Sequence, residues 1–251
     1  MSLIDLSSPD SEGVRVLSLD DPDRRNALSP ELQTELGAAI DVVAGDDATR
    51  VLVVTGRGSA FCAGADLPAL FGDTGRDTAT IRKDLRRIYD SFLRLRRLEI
   101  PTVAAVNGPA VGAGLNLAMA CDIRVAGPDA KFGVTFTHLG LHPGGGCTWF
   151  LTEVLGRQRA FALIMDGGTL TADEALRLGL VLDVVVDPVE ASLERARRWA
   201  KIAPLLARDI KHATEIAENV GFDETLDFEA WAQAASTRNP LLEKAVARYS
   251  R

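Results

Sequence analysis

The sequence predicts an α/β fold: a parallel sheet followed by a helical tail. Three observations carry this. Residues 51–55 (VLVVT) and 102–107 (TVAAVN) are short apolar runs without two-residue alternation, the pattern of strands covered on both faces and hence of a parallel sheet. Strand, small-residue turn and helix recur through the first part of the chain. Past Pro188 the strand pattern stops, and Leu206, Ile210, Ala213, Ala217 and Val220 follow helical spacing. The expected division is a core over residues 1–188 and a helical region over 189–251.

The elements follow in order. Residues 14–19 read as a strand. Ser29 and Pro30 open a helix as N-cap and first helical residue, with Leu32, Leu36, Ile40 and Val43 on its buried face. After the 51–55 strand, Ile81, Leu85, Ile88, Phe92 and Leu95 recur every three or four residues, predicting one long amphipathic helix over 78–98. Its other faces carry Arg82, Lys83, Arg86, Arg87, Arg94, Arg96 and Arg97, either a solvated face or a landing site for ligand phosphates. Pro101 ends it, 102–107 is the next strand, and residues 108–114 form a small-residue turn into a helix over 115–120. In the tail, Trp199 and Trp231 lie among apolar neighbours, fitting either a subunit contact or core packing.

Composition narrows the function. The 251 residues are 47% hydrophobic and 25% charged, as in ordinary folded domains, and the length suits one large domain with an appendage. Lys and Arg number 28 against 35 Asp and Glu, a net charge of −7, which argues against nucleic acid as a partner. No stretch reaches the roughly 18 apolar residues of a spanning helix, and the N-terminal residues lack a secretion-signal pattern. Cys62, Cys121 and Cys147 form no C-x-x-C pair and suggest neither a disulfide framework nor a zinc site. A cytoplasmic location and no metal are expected.

Two turns could carry chemistry. Residues 60–67 (AFCAGADL) and 108–117 (GPAVGAGLNL) each follow a strand and precede a helix. Small side chains there let a ligand oxygen approach free backbone N–H groups. Two such turns can offer one N–H each to a single carbonyl oxygen, stabilising a developing oxyanion. Neither turn is a nucleotide fingerprint, since G-x-x-x-x-G-K-[ST] is absent and no G-x-G-x-x-G opens the first strand–helix unit.

RRNAL (24–28), VLVVTGRGSAFCAGADL (51–67), PTVAAVNGPAVGAGLNLAMACDIRVA (101–126), AKFG (130–133) and LTADEALRLGLV (170–181) resemble the crotonase superfamily, the enoyl-CoA hydratases and isomerases. The likeness spans nearly the whole chain. It implies a spiral of ββα units, a C-terminal helical region that assembles homotrimers or dimers of trimers, and an acyl-CoA ligand. Coenzyme A enters as part of the substrate and no further cofactor is implied. The resemblance places the oxyanion donors at the N–H groups of Ala65 and Ala113, the latter usually glycine in the family. It sets Arg24, Ala63, Ala65, Asp66 and Leu67 along coenzyme A, although an Asp at a helix start also serves as a cap.

The departures bear on the reaction. Where family hydratases carry two glutamates, this chain has Asn116 and Phe136. An amide does not take a proton from water at neutral pH, and each general acid or base contributes a factor of about 10² to 10⁴. Efficient hydration is therefore not expected, and either an altered enzyme of fatty acid or related acyl-CoA metabolism or a silent acyl-CoA-binding protein fits. His138 is the candidate replacement base and a structural hydrogen-bonder is its alternative, with His142 nearby. Gly140 and Pro143 argue against the helix that would pair them on a metal. His212 is expected to face solvent or a phosphate. Cys62 reads as a small buried hydrophobe.

Overall fold

The computed structural model describes residues 2–73 and 75–249, with Pro240, Glu243 and Tyr249 described by backbone alone. Its strands are β1 (Ile4–Leu6), β2 (Val14–Leu19), β3 (Val51–Gly56), β4 (Thr102–Val106), β5 (Ala110–Val111), β6 (Ile123–Ala126), β7 (Lys131–Gly133), β8 (Thr169–Thr171) and β9 (Asp183–Val184). Six form one sheet in the order β1-β2-β3-β4-β6-β9, parallel except for the β1–β2 pair, and β5-β7-β8 form a smaller one. Successive strands thus feed alternate sheets, as in β4–β5 and β6–β7, before a helix follows.

The apolar run of β3 is explained by its two covered faces. Leu52 and Val54 join the larger core with α1 (Pro30–Ala44). Val51 and Val53 belong to a second core with Val103, Val125, Ala196 and Ala200. Ser29 caps α1 as its spacing implied, its Oγ accepting from the Leu32 N–H at 3.1 Å. After the short α2 (Leu67–Phe71), Asp77 caps α3 (Thr78–Leu93).

The long helix expected over 78–98 stops as an α-helix at Leu93. Arg94–Arg97 tighten into a 3-10 turn and Leu98 is extended. The tighter turn satisfies terminal carbonyls, and the chain must straighten toward Pro101. The basic face is partly neutralised: Arg94 pairs with Asp41 and Asp90, Arg97 with Asp90, Arg87 with Asp84, and Arg96 lies over the Trp149 ring at 4.2 Å. Arg82, Lys83 and Arg86 are exposed.

Helices α4 (Ala113–Met119), α5 (Cys147–Met165), α6 (Ala172–Arg177) and α7 (Pro188–Ala200) complete the first unit, Met1–Ala200. The sequence boundary at Pro188 assigns α7 to the tail, whereas α7 covers the outer face of the six-stranded sheet through Ala196 and Ala200. Trp199 accordingly packs on that second core.

The second unit, Lys201–Arg251, comprises α8 (Pro204–Asn219), α9 (Phe222–Ser236) and α10 (Pro240–Tyr249). His212 on α8 is exposed and meets the Phe228 ring edge-on, and Phe228 in turn touches Trp231. Phe222 and Trp231 are exposed, at 78% and 58%. Among the described residues no helix is long and apolar enough to cross a membrane.

Candidate active site

The two turns singled out in the sequence meet. The Cys62 N–H donates to the Pro109 carbonyl at 3.2 Å and the Val111 N–H to the Cys62 carbonyl at 3.0 Å, so residues 60–65 and 109–113 run side by side. Gly64 and Gly114 permit this approach. A Cβ on Gly64, whose φ is +98°, would lie 2.5 Å from the Val111 carbonyl oxygen, and one on Gly114 would lie 2.8 Å from the Cys62 carbonyl carbon.

The first turn has a second anchor that the sequence reading passed over. Asn26, fully buried and in the left-handed region at φ +56°, donates through Nδ2 to the carbonyls of Arg57, Ala60 and Phe61. Its neighbours add backbone bonds from the Ala63 N–H to Arg25 and from the Leu28 N–H to Gly64. Asparagine tolerates this backbone geometry; the signal available was its place in the RRNAL run.

Among the described residues the N–H groups of Ala65 and Ala113 have no acceptor. Both residues line a cavity of about 390 Å³, within the range of small-ligand sites. Its walls are largely apolar, with Leu70, Ile81, Leu85, Ile88, Phe136 and Leu141 among them. The Phe136 ring tip stands over Gly112, at 3.7 Å from where a Cβ would be, beside the Ala113 donor.

Ala63 and Leu67 also line the cavity. Asp66 lies outside it and does what a helix-start Asp does: Oδ1 accepts from the Ala69 N–H at 3.3 Å, capping α2, while Oδ2 pairs with the half-exposed Arg24.

Of the two histidines, the candidate base His138 is the one kept out of the cavity. His138 is exposed and its ring lies against Gly167, outside the cavity lining, whereas His142 lines the cavity. The cause is local. Thr137–Leu139 make a single 3-10 turn ended by Gly140 at φ +66°, which redirects the chain between the two rings. His142 Nδ1 lies 2.7 Å from the Pro143 carbonyl.

Among the cavity-lining residues there is no carboxylate. Asn116, 1% exposed, sits one turn into α4 and donates from Nδ2 to the Gly144 carbonyl at 2.7 Å, while its Oδ1 is buried without a partner. Tyr89, on the cavity side of α3, was not among the sequence candidates. Burial pushes its phenol above the ordinary value, with the Gly145 N–H beside it acting the other way. Burial also pushes the Cys62 and Cys147 thiols up to about 12, so neither is a nucleophile at neutral pH.

The family model for enoyl-CoA hydratase/isomerase matches residues 10–249. The chain belongs to that family. Its fold is accordingly that of the crotonase superfamily. A probable enoyl-CoA hydratase EchA14 from Mycobacterium tuberculosis is 51% identical over 183 residues, 73% of this chain and 70% of that protein. The 1,2-epoxyphenylacetyl-CoA isomerase of Escherichia coli is 36% identical over 231 residues, 91% of this chain and 88% of that one. A crystal structure of a putative enoyl-CoA hydratase/isomerase from Mycobacterium abscessus superposes with a TM-score of 0.91 at 32% identity, covering 98% and 95% of the two chains.

Proposed function

We propose that this family member binds an acyl-CoA in the 390 Å³ cavity, the thioester oxygen accepting from the N–H groups of Ala65 and Ala113. The observation that carries this is the pair of free donors held together by the Cys62–Pro109 and Cys62–Val111 bonds. Such preorganised donors stabilise enolate-like charge on the oxygen. Arg24, which pairs with Asp66, and exposed Ala63 and Leu67 supply the approach for coenzyme A. No cofactor beyond coenzyme A, arriving with the substrate, belongs to this reading. Asn116 and Phe136 leave the water-activating carboxylates out, so hydration of enoyl-CoA is slow. Phe222 and Trp231 support self-association into a homotrimer or dimer of trimers.

A second reading, a silent acyl-CoA-binding protein, draws on Phe136: an apolar ring in the cavity wall suits an acyl chain and not a reacting water. Enoyl-CoA recovered unchanged after long incubation with a protein that binds it supports this version.

The test of the donor pair is vibrational. Bound acyl-CoA labelled at the thioester carbonyl is expected to show a lowered C=O stretch. Ala113→Pro removes one donor at a first helical position, where proline is tolerated, and the lowering is expected to shrink. A bound thioester with an unshifted carbonyl refutes the site.

A further inference from the structure

Among the described residues lining the cavity, two titrate, Tyr89 and His142. Tyr89 is no base at neutral pH, because burial pushes its phenol up and the group stays protonated there. His142 differs in kind. Its Nδ1 lies 2.7 Å from the Pro143 carbonyl oxygen. A carbonyl only accepts, so Nδ1 carries the hydrogen and the neutral ring keeps its lone pair on Nε2.

The loop that carries this ring is tied down on both sides. The Leu141 N–H donates to the Phe136 carbonyl at 3.0 Å. Beyond the ring, Pro143 has a fixed φ, and the Gly144 carbonyl accepts from Asn116 Nδ2 at 2.7 Å and from the Cys147 N–H at 3.2 Å. Asn116 thus serves as an anchor for the loop, and the anchor sets where His142 stands. It is three residues after Ala113 on α4, a spacing that leaves the two Cβ atoms about 5–6 Å apart. The His142 Cα lies within about 7 Å of the Gly144 Cα, the reach of two extended residues. An imidazole starting there spans the distance to the carbon next to a thioester whose oxygen sits on the Ala113 N–H. The ring is also exposed, so a proton it takes up exchanges with water.

We propose that His142 is the catalytic base of this cavity, moving a proton at the carbon next to the thioester through Nε2. The Cα–H bond breaks and its proton passes to Nε2. The electron pair forms a double bond to the carbonyl carbon, and the charge collects on the oxygen held by Ala65 and Ala113. The reverse step returns a proton drawn from solvent, so no co-reactant is consumed. This rests on the acyl-CoA reading above, and it excludes the silent version of that reading.

The experiment incubates the full chain with saturating octanoyl-CoA in deuterated water and follows deuterium entering at C2 by mass spectrometry, with calorimetry reporting binding separately. Exchange is expected with the parent protein and should fall by about 10²-fold or more in His142→Ala, the scale of a lost general base. Added imidazole should restore part of the rate to His142→Ala, a rescue that a merely structural histidine would not show. His138→Ala, whose ring lies outside the cavity lining, should exchange like the parent. Binding without exchange, or exchange undiminished in His142→Ala, overturns the base while leaving the acyl-CoA reading intact. A drop confined to His138→Ala also overturns it. A parent protein that binds no acyl-CoA overturns both.

Discussion

Gly114→Ala pits two effects of known sign against each other. Gly114 lies inside α4, where alanine is favoured over glycine by about 1 kcal/mol. The new methyl would stand 2.8 Å from both the carbonyl carbon and the Cβ of Cys62, with the carbonyl oxygen closer still. Carbon atoms in good contact sit about 3.5–4.0 Å apart, so one turn must retreat by roughly 1 Å. The obstacle is backbone, fixed by the Cys62–Pro109 and Val111–Cys62 hydrogen bonds, and cannot rotate away. Overpacking of this kind costs about 1–3 kcal/mol, and loosening one of those bonds adds about 1 kcal/mol. The net expectation is a loss of roughly 1–3 kcal/mol, a fall in Tm of several degrees for a chain of this size. Acyl-CoA affinity should fall as well, because the same retreat separates the Ala65 and Ala113 donors. Gly37→Ala is the matched control. It is also buried within a helix, yet the nearest atom to its added Cβ is Arg94 Nη1 at 4.0 Å, so a gain of about 0.5–1 kcal/mol is expected. Thermal and urea unfolding of both variants, with acyl-CoA titration, decides the matter. A Gly114→Ala protein as stable as the parent and equally able to bind ligand refutes the close apposition of the two turns.

Asn116→Glu combined with Phe136→Glu should raise crotonyl-CoA hydration by about 10²-fold or more, followed as loss of enoyl absorbance. A variant that binds the ligand with no gain in rate places the missing carboxylates elsewhere. His138→Ala should leave acyl-CoA affinity and any turnover unchanged, because the ring lies against Gly167, whereas His142→Ala should alter affinity; the opposite pattern in titrations refutes the loop geometry. The native protein should resist thiol reagents at pH 8 at Cys62 and Cys147 until unfolded. The same thiols set a pH trend. Their folded value of about 12 exceeds the ordinary thiol value of 9.0, so above pH 9 the unfolded chain loses protons that the folded one keeps. Stability should then fall by roughly 1 kcal/mol per pH unit for each thiol up to about pH 12, and urea midpoints flat between pH 9 and pH 11 contradict this.

How far the sequence reached depended on the range of the interaction concerned. Strands β3 and β4 were legible because burial on both faces leaves continuous apolar runs, and the cap at Ser29 because it is a contact between near neighbours. The two glycine turns were legible as places and their pairing on one oxygen as an option, which the family resemblance then fixed on Ala65 and Ala113. By contrast β5, β7, β8 and β9 have two or three residues each, too few for any period. Helix α7 reads as tail from its pattern alone, since only the assembled sheet supplies the Val51, Val53 and Val103 surface that it covers.

The site divides in the same way. Ala65, Ala113, Asn116 and Phe136 sit at motif positions and could be named from the chain. His138 was named as the base ahead of His142 and the structure puts it outside the cavity, because the choice turns on one left-handed glycine, Gly140. Tyr89 was hidden by its surroundings: it follows Ile88 in an amphipathic repeat, and nothing local distinguishes a phenol on a cavity wall from one at the edge of a core. Its significance arises only where Gly144 and Gly145, distant in the chain, bring it to the amide of Asn116. Titratable residues advertise chemistry in a sequence because their types are few and their roles familiar. A neutral pair brought together by two helices and a glycine loop has no such signature.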